Sequence, residues 1–169
     1  LVGSAAAARA GSASYRNWPF GVATSHTETS GVDGLIVPGG MVPPYDTPGT
    51  HAAFTSAPLA AHTDVVGSPE LSLQVSSPRA ARTQGGTGEG NLVLFAKLFD
   101  VAPDGSRRLV HRLVAPVRVP DVTQRFQVTL PGIVHRFAAD HRLRLVVAAS
   151  DTAYAGSGTV HPVTITTGR

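Results

Sequence analysis

Seven histidines and eight aspartates in a chain of 169 residues are raw material for acid–base, nucleophilic or metal chemistry. A serine nucleophile on a strained strand-to-helix elbow needs Gly-x-Ser-x-Gly, because side chains at the outer positions would clash. Gly156-Ser157-Gly158 has its first glycine one place too close, and Gly11-Ser12-Ala13-Ser14-Tyr15 lacks the second glycine. Where His and Asp are this frequent, their presence alone does not define a triad. Metal ligation fares no better. His135 and His141 stand six apart around Asp140, with His161 further on, and neither His-x-x-x-His nor His-Glu-x-x-His occurs. The spacing predicts His135 at the edge of a short helical turn and His141 at the start of a strand.

Asp100 and Asp104-Gly105 lack the ligand ladder and closing glutamate of a calcium loop, so Pro103-Asp104-Gly105 reads as a hairpin turn with Gly105 at positive φ. The run Gly85-Gly86-Thr87-Gly88-Glu89-Gly90 precedes a strand, whereas a phosphate cradle follows a strand and opens a helix. It reads as a flexible hairpin loop. Arg108 with Arg112, and Arg142 with Arg144, would suit a carboxylate or a sugar on a sheet face. The simpler expectation is pairing with acids on neighbouring strands. One such pair is expected between Asp100, at the end of one central strand, and Arg142 or Arg144, near the start of another. No catalytic, cofactor-binding or metal-ligating residue is assigned.

The elements that must carry these side chains are short. Eighteen glycines and thirteen prolines exclude long helices over most of the chain, and 42% hydrophobic against 15% charged residues excludes disorder. No apolar run approaches the ~18 residues of a membrane span. With no cysteine, disulfides, thiol nucleophiles and cysteine-based metal sites drop out together. The net charge of +3 comes from one lysine, Lys97, and thirteen arginines spread along the chain, with only 6% aromatics. Nucleic-acid binding calls for clustered cations interleaved with stacking rings, so it is set aside.

Residues 1–50 show no sustained period, and Pro19, Pro38, Pro43, Pro44 and Pro48 interrupt helix and strand alike. This predicts an extended arm that lies on a neighbouring domain, with Trp18, Phe20, Met41 and Tyr45 as anchors. From residue 51 to 169 the pattern is alternation. Leu71, Leu73 and Val75 form one inward set; Leu109, His111, Leu113 and Ala115 another; Phe126, Val128 and Leu130 a third; Leu143, Leu145, Val147 and Ala149 a fourth. Asn91 to Phe99 is apolar on both faces, as a central strand requires. Only Ile133 to Ala139 has a helical look. Many short strands with regular punctuation predict an all-β fold, an antiparallel sandwich or jelly roll.

Four segments carry a resemblance: Phe54 to Leu59; Asp64 to Ser77; Lys97-Leu98-Phe99-Asp100-Val101-Ala102-Pro103-Asp104-Gly105; and Phe137 to Asp151, containing His141-Arg142-Leu143-Arg144-Leu145. In this order and spacing they resemble the C-terminal non-catalytic domain of X-prolyl dipeptidyl peptidases, cocaine-esterase-like enzymes and α-amino-acid ester hydrolases. Ser14 to Pro19 is similar to the stretch by which that family's chain leaves its catalytic domain. The resemblance implies a galactose-binding-like jelly roll. It implies that Ser, Asp and His belong to a preceding α/β-hydrolase domain, this domain's partner in cis, and that the present domain helps wall the active site and takes part in oligomer contacts. Two positions depart from the pattern: Asp140 and Leu113 stand where glycine is usual, and Asp tolerates the left-handed turn conformation.

A binding module is the competing expectation, with Tyr15, Trp18 and Tyr154 as stacking platforms for carbohydrate. A self-sufficient His/Asp or metal enzyme is the third. The start at Leu1 fits the stub of a cleaved export signal or a piece of a longer chain, and the resemblance favours the piece. Arginine over lysine with abundant Ala, Gly and Val suggests a GC-rich bacterial coding sequence.

Overall fold

The structure is a computed structural model that describes residues 11–27, 45–86 and 88–167; Met41, one expected anchor, lies outside them. Two four-stranded antiparallel sheets face each other. In the first, β1 (Gly11–Arg16) lies at one edge beside β12 (Pro162–Thr167), followed by β6 (Glu70–Ser76) and β9 (Phe126–Thr129). In the second, β4 (His51–Thr55) neighbours β11 (Arg142–Ala148), then β7 (Val93–Val101) and β8 (Arg107–Arg118). Two small ribbons complete the described part: β2 (Ser25–His26) with β3 (Tyr45–Asp46), and β5 (Thr63–Gly67) with β10 (Ile133–Phe137). All pairings are antiparallel, as the alternating sequence predicts. No helix among the described residues is long and apolar enough to cross a membrane.

Alternation explains the core. Leu73, Val75, Phe126, Val128, Val163 and Ile165 point from the first sheet into the interior, where they meet Leu94, Ala96 and Val147 of the second. The side chains between these on β7 point the other way, and Phe95 and Phe99 form a second apolar layer with Leu109, Val114, Val146 and Ala148. β7 is therefore covered on both faces, as its unbroken apolar run predicts. A third cluster of Val110, Ile133, Phe137 and Leu143 lies where the β5–β10 ribbon packs.

Local chemistry ends the strands where expected. Gly105 adopts φ 85° in the β7–β8 turn. There Ser106, through its side chain and its backbone N–H, holds Asp104 below the usual carboxylate range. Asp140 takes φ 66°, the left-handed conformation Asp accepts more readily than most residues.

Four local expectations are corrected. Residues Ile133–Phe137 are a strand, not a helical turn: Ile133 and Phe137 are buried and Val134 and Arg136 exposed, which is a period of two. Pro78–Thr83 forms a short helix, α1, that alternation does not reveal; proline at its first turn has no N–H to lose, and Ala80 is buried beneath it. The glycine-rich loop thus follows a helix, and Gly88–Gly90 is itself a turn of 3-10 helix. In β8 a bulge intervenes: the register against β7 shifts between Lys97 and Phe99, and His111 takes φ 51°. From Val114 back to Leu109 β8 takes five steps where β7, from Lys97 to Phe99, takes two, and this odd excess of three residues flips the facing of the residues beyond it. Leu109 and Val114 consequently share a face, and the single inward set Leu109, His111, Leu113 and Ala115 does not exist.

Within the first fifty residues, Gly11–Arg16 pairs along its whole length with β12, burying Tyr15. Ser14 and Thr164 hydroxyls bond across this pair at 2.8 Å. Small polar residues with one aromatic suit an edge strand, although too few are apolar to announce one.

Candidate functional site

Three constellations of chemistry-bearing side chains emerge. The first joins Asp100 to two histidines. Asp100 ends the long strand β7; its Oδ2 lies 3.0 Å from His135 Nε2 and its Oδ1 lies 2.7 Å from His141 Nδ1. The expected pairing of Asp100 with Arg142 or Arg144 is absent. Arg142 instead donates to the Ser56 carbonyl at 3.0 Å, and Arg144 donates to Thr55 Oγ1 at 3.1 Å. Burial holds the Arg144 guanidinium below its ordinary value, with Arg107 adding to that effect and Asp46 opposing it. The reason for the different partner is direction: the β10 strand brings His135 over the end of β7, and the Asp140 turn presents His141 beside it. No group of three or more His, Cys, Asp or Glu among the described residues is arranged to hold a metal ion. His161 is far from this cluster in role: it is fully buried, both ring nitrogens lack partners, and burial followed by the charge of Arg79 lowers its pKa.

The second constellation was not singled out in the sequence, although a lysine inside an apolar central strand was the signal. Lys97 is wholly buried on the outer face of β7, with its Nζ 3.0 Å from Asp151 Oδ2 and 3.2 Å from Asp46 Oδ1. Its Nζ also bonds the Ser25 hydroxyl, which in turn donates to Asp46 Oδ1. The β2–β3 ribbon supplies Ser25 and Asp46, paired across it, and the turn after β11 supplies Asp151. An isolated buried cation is expensive, so a lysine here requires the two acids.

The third constellation is an aromatic hook. Asn17 is buried; its amide donates to the carbonyls of Ser157 at 3.1 Å and Thr159 at 2.8 Å, and its Oδ1 accepts the His161 N–H at 2.6 Å. From this pinned base the 3-10 turn Pro19–Gly21 holds Phe20 at φ 60°, ψ 23°. Phe20 is 91% exposed, flanked by Trp18 and Val22 at 47% each. A bulky residue in the left-handed region is strained, and here the strain displays its ring to solvent.

Of the remaining sequence candidates, Ser157 and Tyr15 are buried. Ser157 is buried, accepting from the Val93 N–H at 2.9 Å and donating to the Asn91 carbonyl. Tyr15 is 5% exposed, which removes it as a stacking platform; burial pushes its phenol far above the usual value. Tyr154 remains 42% exposed, with its ring tilted against Phe95 at 6.0 Å. Arg108 is exposed, opposite Asp100 on the neighbouring strand. A cavity of about 520 Å³ opens between the sheets, walled by Phe54, Leu71, Leu98, Leu143 and Leu145, with Glu70 and Arg125 also on its lining. Ser72 and Thr166 also line it.

The described residues thus form an antiparallel sandwich whose polar clusters knit strands together and whose strained aromatic projects outward. The comparisons identify its family. The sequence matches the X-Pro dipeptidyl-peptidase C-terminal non-catalytic domain over residues 5–165, and the chain belongs to that family. No curated protein matches it. Among solved structures, an α-amino acid ester hydrolase superposes with a TM-score of 0.57 at 18% identity, covering 92% of this chain and 30% of that one. A CocE/NonD family hydrolase from Staphylococcus aureus gives 0.56 at 14% identity, covering 95% and 31%. An aminopeptidase from a marine sediment Thaumarchaeota archaeon gives 0.52 at 18% identity, covering 69% and 23%. The chain thus spans under a third of the length of these solved relatives.

Proposed function

We propose that this chain serves as the accessory domain of a serine hydrolase acting on peptide, ester or amide bonds, with Ser, Asp and His supplied in cis by an α/β-hydrolase domain. Its work is mechanical. It packs on the catalytic domain, helps wall the active-site cleft, and contributes to oligomer contacts. The observation that carries this reading is the hook at Trp18, Phe20 and Val22, a strained and rigidly based apolar projection within residues 1–50, the stretch read as an arm. Projecting apolar groups of this kind, presented without further ordering cost, are what a docking interface uses as anchors. Family membership supports the non-catalytic assignment.

The test compares the 169-residue chain with the hydrolase polypeptide that contains it. The isolated chain is expected to hydrolyse neither X-Pro anilides nor aryl esters and to remain unlabelled by a fluorophosphonate probe. The containing polypeptide is expected to hydrolyse at least one of these substrates and to be labelled. Stoichiometric labelling of the isolated chain would overturn the reading.

A further inference from the structure

The accessory role makes no use of Lys97, the sole lysine of a chain that otherwise carries its positive charge on thirteen arginines. Arginine is the usual choice for a buried ion pair, because its fork satisfies carboxylates bidentately and never loses its proton. Lysine differs in one chemical respect: once deprotonated, its amine is a nucleophile. We propose that Lys97 and Asp151 join in an intramolecular isopeptide bond, with Asp46 moving the protons.

The geometry assigns each group a part. The Lys97 Nζ stands 3.0 Å from Asp151 Oδ2, within reach of the carboxyl carbon, and side-chain exposure of Lys97, Asp151 and Asp46 is 0%, 0% and 2%. Held at such separation, an amine and a carboxyl group react as though at very high concentration. Asp151 Oδ1 accepts the backbone N–H of Ala153 at 3.0 Å, so a donor already faces the oxygen on which negative charge develops. Its Oδ2 faces the Thr27 hydroxyl at 3.3 Å as well as Nζ, and is the oxygen that leaves. Asp46 Oδ1, 3.2 Å from Nζ and bonded to Ser25, is the relay.

The step balances without an added reagent. Asp46 accepts a proton from the Lys97 ammonium and passes it to Asp151 Oδ2, leaving a neutral amine beside a neutral acid. The nitrogen lone pair attacks Cγ, forming the N–C bond and placing charge on Oδ1. Asp46 then takes a second proton from nitrogen and delivers it to Oδ2. The C–O bond breaks, one water departs, and the carbonyl re-forms as an amide that keeps the third hydrogen of the ammonium. Asp46 ends as it began, a carboxylate. The reaction replaces the Lys97–Asp151 charge pair with a neutral amide and leaves Asp46 with the Ser25 hydroxyl as its donor. It also ties β7 covalently to the turn beyond β11, over which the β2–β3 ribbon lies.

The experiment is the intact mass of the purified, fully denatured chain, followed by proteolysis and fragmentation sequencing. The expected mass falls short of the sequence by one water, and the digest yields a branched peptide joining the segments that contain Lys97 and Asp151. Lys97→Arg and Asp46→Asn are each expected to restore the full sequence mass. A wild-type chain of full mass after prolonged incubation, with Lys97 in a linear peptide, overturns the proposal. So does a one-water deficit that maps to a succinimide at Asp104-Gly105 and persists in Lys97→Arg. A deficit retained in Asp46→Asn removes Asp46 from the mechanism.

Discussion

Asp100 shows how one side chain can hold three strands. Its two oxygens face His135 from β10 and His141 from the turn just before β11, while its backbone belongs to β7. Removing the acceptor leaves two partly buried ring donors unsatisfied. Asp100→Ala is therefore expected to lower stability by roughly 1–3 kcal/mol in urea denaturation, with His135→Ala and His141→Ala non-additive with it. An unchanged midpoint would exclude the role. His161 makes a second prediction at this scale. Burial, then Arg79, lowers its pKa in the folded protein, so the folded state resists a proton that the unfolded chain accepts. Stability attributable to this group is complete above the unfolded value of about 6.5 and declines as pH falls through it. A urea series between pH 8 and 5 should show that decline, and His161→Phe should make it shallower.

Elements are held by tight local fits as much as by hydrogen bonds. Helix α1 meets the 3-10 turn where a Cβ on Gly90 would lie 2.7 Å from the Thr83 carbonyl oxygen, and the Thr83 hydroxyl donates to the Gly90 carbonyl at 2.6 Å. Gly90→Ala must push backbone from backbone, and is expected to cost about 1–3 kcal/mol, read as a lowered urea midpoint. Gly105 is a different case: a Cβ there meets open space, and only φ 85° objects. Gly105→Ala should cost about 1–2 kcal/mol. The exposed Arg136–Asp64 pair on the β5–β10 ribbon is bonded at 2.6 and 2.8 Å, yet both groups stand in water. Arg136→Ala should leave the melting temperature nearly unchanged, since solvent already screens the pair.

At the scale of the whole molecule, the hook separates stability from association. Trp18 and Phe20 spend much of their surface in water, so replacing both with alanine should leave the urea midpoint of the isolated chain in place. In the hydrolase polypeptide proposed above the same double variant should loosen the domain, seen as earlier proteolytic release of this segment and reduced hydrolysis. Loss of stability in the isolated chain would instead mean that the rings pack on the sandwich.

Alternation of apolar residues determined the sandwich from sequence alone, because an inward-facing strand repeats every two residues whatever its partner. Turn chemistry determined the positive φ of Gly105, because the cause lies within four residues, while the left-handed turn at Asp140 was implied by the resemblance, in which glycine is usual at that position. The family too was legible, since its marks are contiguous strings such as Leu98 to Gly105. Tertiary structure alone decided the rest. Asp100 meets its histidines across 35 and 41 residues, and Lys97 meets Ser25 across 72 and Asp46 across 51. No periodicity encodes such separations. The short runs Ile133–Phe137 and Gly11–Arg16 likewise became strands only because β5 and β12 offered them edges. A few residues of ambiguous pattern take the conformation that satisfies their backbone, and that depends on what lies alongside.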